Sequence, residues 1–75
     1  MNETLQNIYD GIARGKKPVV LANIAAALAA GIPVSTIINE AMIAAMSEVG
    51  RRFETGEFFI PEMLVAARAM QAGMN

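Results

Sequence analysis

The chain has 75 residues, 55% of them apolar and 17% charged, with a formal net charge of −1. That length allows one small domain, and a composition this apolar and thinly charged excludes a disordered segment. There is no Cys and no His, which excludes disulfides, thiolate zinc sites and Ser-His-Asp or Cys-His catalysis within the chain.

Glycines and prolines divide the sequence into four predicted helices. The first runs from Glu3 to about Arg14, with Leu5, Ile8, Tyr9 and Ile12 at helical spacing and Gly15 as the stop. The second starts near Lys17-Pro18, where proline suits a first helical turn, and ends at Gly31. Its stripe is Val20 or Leu21, Ile24 and Leu28, with Ala on the other faces. The third starts at Pro33 and runs to about Glu54, carrying Ile38, Met42, Ala45, Met46, Val49 and Phe53 on one side, and Gly56 ends it. The fourth begins at Pro61, with Glu62 where a negative charge meets the helix dipole. It runs to about Ala72 on a stripe of Met63, Ala67, Met70 and Met74. No segment alternates with period two, and the links are short. The expected fold is therefore all-α, a small antiparallel four-helix bundle occupying 1–75 as one domain. Gly50 inside the third helix costs about 1 kcal/mol against Ala, so it is expected to make room for a close neighbour, either another helix or a flat ligand.

A chain this short buries only roughly 60% of its extended-chain surface, so a small Ala-rich bundle gains from packing against something else. Lys16 and Lys17 before the apolar run Pro18–Ala30 imitate a signal peptide. The acidic start Met1-Asn2-Glu3-Thr4, the internal position of the basic pair, Asn23, and a run shorter than the roughly 20 residues of a membrane span argue against export or insertion. A cytoplasmic protein without a membrane or nucleic-acid partner is expected. Ala25 to Ala41 does resemble a helix-turn-helix, with Ala27, Gly31, Ile32, Ser35-Thr36 and Ile37 at the right spacing. Between Lys17 and Arg51, however, there is no Lys or Arg to hold phosphates, and Glu40 sits on the would-be recognition helix. A bare dimerisation bundle, and hence a homo-oligomer, stays open as a further alternative.

The stretch from Met46 to Met70 is unlike an ordinary bundle turn. Its apolar pattern continues from Phe53 through Phe58, Phe59 and Ile60 to Met63 and Leu64, which suits a surface covered by a partner or ligand. The plainer reading is that Phe58 and Phe59 plug the open end of the bundle. Glu54 and Glu57 flank an exposed turn and read as solvated, as does the pair Arg51-Arg52. Met42, Met46, Met63, Met70 and Met74 read as adaptable packing. No catalytic residue and no metal ligand set is identified.

The run V-G-R-R-F-E-T-G-E-F-F-I-P-E-M-L-V-A-A-R-A-M resembles the signature of the helical cap domain of methyl-transferring corrinoid proteins. These include the corrinoid subunits of methanol and methylamine methyltransferase systems and the cobalamin-binding region of methionine synthase. The pattern V-G-x-x-F-x-x-G-x-x-F/Y-L-P-x-x-x-x-A-x-x-x-M is met at Val49, Gly50, Phe53, Gly56, Phe59, Pro61, Ala66 and Met70, with Ile60 in place of Leu. Leu5 to Gly15 and the segment closing with Ala30-Gly31 resemble the family's first two helices. The chain departs from the family at Gly15-Lys16, where Gly-Asp is frequent, and at Pro33, where Asp often caps the third helix.

The resemblance implies a cap over the upper, methyl-bearing face of cobalamin, with Phe53, Ile60, Met63, Gly50 and Val49 at the cofactor. It implies as partners a methyltransferase subunit and a Rossmann-like cobalamin-binding domain with an Asp-x-His-x-x-Gly motif. No such motif stands in this sequence. The expectation is a cap domain alone, non-catalytic by itself, that holds cobalamin only together with that further domain.

Overall fold

The computed structural model describes residues 2–74; Met1 and Asn75, the outer limits of the expected domain, lie outside them. Four helices follow in chain order, with no strand among the described residues: α1 (Glu3–Ala13), α2 (Lys17–Ala29), α3 (34–54) and α4 (Ile60–Met74). They form the expected four-helix bundle, measuring 37 × 20 × 17 Å. α1 packs on all three other helices, and α4 also lies along α2 and α3.

Local chemistry sets the helix ends. The Asn2 side chain accepts the Leu5 N–H at 2.9 Å and opens α1, an N-cap of the ordinary kind. Gly15, Gly31 and Gly56 each take positive φ just past a helix. At each of them the next residue's N–H returns to a carbonyl of the last turn: Lys16 to Gly11, Ile32 to Ala27 and Glu57 to Arg52. These are Schellman closures, which glycine permits without strain. The three expected breaks stand where the glycines put them.

The interior of α3 departs from expectation. Over Ile37–Met42 the bonding widens to a π-helix, between an α turn at Val34–Thr36 and the α-helical Ile43–Glu54. The wide turn accommodates one surplus residue. It keeps Ile37, Ala41 and Met42 in the core together with Ala45 and Val49 further along.

Two stripes also need correction. On α2 the buried residues are Val20 and Ala27, with Ile24 partly covered, while Leu21 and Leu28 are about half exposed. On α4 they are Ala66 and Ala69, while Ala67 and Met74 face outward. Val20, Ile24, Met63 and Met70 of the expected stripes do pack inward, and small residues, Ala27, Ala66 and Ala69, join them where the helices approach closely. A Cβ at Gly11 would lie 2.9 Å from Val20 Cγ2, and one at Gly73 2.8 Å from Ile24 Cδ1. Those two glycines make the close approaches. At Gly50 an added Cβ would meet nothing within 4 Å, so of the two neighbours expected there, a helix or a flat ligand, no helix fills the place among the described residues.

The main core joins Leu5, Ile8 and Ile12 of α1 to Val20, Met42 and Ala69. A smaller cluster of Ala13, Val49 and Ala66 lies toward the α3–α4 turn, with Met46, Phe58 and Met63 packed against it.

Candidate functional site

The candidate site grows out of that smaller cluster. Val49 of α3 is fully buried and Met63 of α4 packs on the same cluster. One turn beyond each, toward the turn that joins the two helices, stand Phe53 and Ile60. Phe53 continues the edge marked by Met46 and Gly50, spaced by four and three residues, but it extends past the point where other helices cover it. It is 42% exposed, Ile60 is 63% exposed, and neither belongs to a core cluster. Leu64, one turn after Ile60, and Phe59 are also more than half exposed. Exposed apolar side chains thus gather around the turn between α3 and α4, and Gly50 borders open space.

The five expected site residues therefore divide. Phe53 and Ile60 present surface, Met63 is partly covered, Gly50 borders open space, and Val49 lies beneath with no surface of its own. The two aromatic residues of the turn divide as well. Phe58 closes the bundle end against the Val49 cluster, whereas Phe59 stays outside.

A set of polar contacts holds this turn. Glu48 accepts from Arg51 Nε at 2.8 Å and from Arg52 Nε at 2.7 Å. The hydrogen bonds from Arg51 and then Arg52 hold its carboxyl down to about 2, and the same contact pushes the Arg51 guanidinium further up. Arg52 lies over the Phe58 ring, 5.3 Å from its centroid, and its carbonyl accepts the N–H groups of Glu57 and Phe58. Glu62 accepts the Phe59 N–H at 3.2 Å, half of a capping box at the start of α4. The turn is thus tied from both sides. The arginine pair, expected to be solvated, is instead tied to Glu48. The signal was available, since Glu48 stands three and four residues before Arg51 and Arg52 on one helix face.

The described residues include no group of His, Cys, Asp or Glu placed to hold a metal ion, and no helix long and apolar enough to cross a membrane. The segment that imitates a recognition helix is the π-helical stretch, with Ile37, Ala41 and Met42 turned into the core.

Fold and surface together describe a small helical module with exposed apolar side chains around its last turn. The chain belongs to the family described as the B12 binding domain, which matches residues 4–75. It is 44% identical over 72 residues to the dimethylamine corrinoid protein of Methanosarcina barkeri, covering 96% of this chain and 33% of that one. Dimethylamine corrinoid protein 2 of Methanosarcina acetivorans is 38% identical over 73 residues, covering 97% and 33%. Trimethylamine corrinoid protein 1 of the same organism is 50% identical over 49 residues, covering 65% and 23%. The chain spans about a third of the length of the dimethylamine relatives it matches. No solved structure gives a significant match. The helical cap domain of corrinoid proteins, expected from the motif at Val49 to Met70, is the family found.

Proposed function

We propose that this chain caps the upper, methyl-bearing face of a cobalamin during methyl transfer, in a corrinoid protein that serves a methyltransferase. The observation that carries this reading is that Phe53 and Ile60, two large apolar side chains of the family motif, are both left uncovered, one near the end of α3 and the other at the start of α4. The cofactor supplies the organocobalt chemistry, and the protein's part is to bind, orient and exclude competing reactions.

The residues suit that part. Phe53 and Ile60 are apolar and carry no atom that ligates a metal, so they exclude water from a covered face without competing for it. The open space at Gly50 lets the helix backbone approach a flat ring, Met63 extends the surface, and Val49 seats it from beneath. With no His or Cys in the chain, a lower ligand and most cofactor contacts belong to a Rossmann-like cobalamin-binding domain. In this role the chain is non-catalytic. The names of the relatives favour a methylamine as the methyl source.

The test combines this chain with a separately prepared cobalamin-binding domain loaded with methylcobalamin. Phe53→Ala and Ile60→Ala are expected to hasten loss of the methyl group in light, followed by the cofactor's visible spectrum. Rates equal to those without the chain, or unchanged by both substitutions, would overturn the cap reading.

A further inference from the structure

A concavity lined by neither Phe53 nor Ile60 lies next to their turn. It is an open groove of about 540 Å³ between the α1–α2 turn and the start of α4. Its floor is apolar, formed by Phe58, Pro61 and Val65, and its rim carries Arg14, Lys16 and Arg52. The one carboxylate at the groove, Glu62, is engaged by the Phe59 N–H. Arg14 and Lys16 have no ion-pair partner among the described residues. Arg52 bonds Glu48 through Nε, which leaves its terminal amino groups available, and it rests over the Phe58 ring. A held guanidinium is pre-organised for carboxylates, because less side-chain freedom is lost when it binds.

We propose that this groove is a docking site for an acidic, partly apolar segment of a partner protein. Carboxylates of the segment pair with Arg14, Lys16 and Arg52, and an intervening apolar side chain lies on Phe58, Pro61 and Val65. Charge selects the segment: three cations ring a groove on a chain whose net charge is −1. Shape selects it too, since an open trough with an apolar floor accepts an extended chain more readily than a compact ion. The proposal does not rest on the cap reading, as it uses neither Phe53 nor Ile60.

The isotope-labelled chain is titrated with a blocked hexapeptide alternating Asp or Glu with Leu or Phe, and backbone amide shifts are followed by NMR. Sodium phosphate and the Asn/Gln version of the peptide are run in parallel. Saturating shifts are expected at 13–16, 52 and 58–65, with clearly weaker binding of the neutral peptide. Arg14→Glu with Lys16→Glu, both at exposed positions, is expected to weaken binding roughly tenfold or more. Arg68→Glu, outside the groove, is expected to leave it unchanged. The proposal is overturned if the double reversal has no effect, or if Arg68→Glu is equally damaging. It is also overturned if phosphate alone reproduces the shifts, which would mark a small-anion site.

Discussion

Phe53→Ala separates a surface role from a core role by its energetic cost. Phe53 is 42% exposed and lies outside both apolar clusters, so truncation opens no cavity. Fully burying a side chain of this size contributes about 1.5–3 kcal/mol, and Phe53 is only partly covered. Scaled to that partial cover, truncation to Ala forfeits about 1.5 kcal/mol. The better helix propensity of Ala offsets about 0.5 kcal/mol of this. The remaining loss of about 1 kcal/mol shifts the melting temperature of a domain this size by about 4–8 °C. Ile12→Ala provides the control: Ile12 is fully buried in the main core, and its truncation is expected to cost about 2–5 kcal/mol. Thermal and urea melts followed by far-UV circular dichroism measure both. A Phe53→Ala loss of about 3 kcal/mol or more, within the core range, would refute the reasoning and place this side chain in the interior.

Gly50→Ala is expected to stabilise the chain by about 0.5–1 kcal/mol, since the site is helical and open. Gly11→Ala is expected to destabilise it, because overpacking against the stiff Val20 costs about 1–3 kcal/mol; urea midpoints moving in the same direction would contradict this. The Glu48 clamp predicts an acid dependence. Its folded carboxyl titrates near 2, below an unfolded carboxylate, so the clamp's stabilisation is present above the ordinary carboxylate range and is lost as pH falls toward 2. Melts across that window should show a steeper loss for the unmodified chain than for Glu48→Gln, and equal slopes would mean that the clamp contributes nothing to folding.

The helix ends were legible because they depend on a few adjacent residues. Gly15, Gly31 and Gly56 stop helices by their own backbone freedom, and Asn2 and Glu62 satisfy orphan N–H groups within three residues. The inward faces of α2 and α4 were not legible from side-chain size. Apolar residues, many of them Ala, lie on nearly every face of both helices, so size alone does not tell that Val20, Ala27, Ala66 and Ala69 turn inward while Leu21 and Leu28 remain out. The π-helical stretch carries no glycine or proline to announce it; tertiary packing of Ile37 and Met42 on α1 decides it. The site was readable as a motif, but the different placements of Phe58 and Phe59, neighbours of identical type, depend on which one meets Arg52 and Val49.

The widened stretch Ile37–Met42 makes the length of the chain negotiable at one place. In an α-helix each residue advances the direction of the next by about 100°, so a deletion turns every later side chain away from its partner. Here a surplus residue is already stored. Removing the exposed Asn39 would let the segment close into ordinary α bonding, with Met42, Ala45 and Val49 still facing α1. Sequences that differ by one residue between positions 37 and 42 can therefore share this bundle and present Phe53 and Ile60 in the same place, so a single-residue gap there records helix winding and not a change of role.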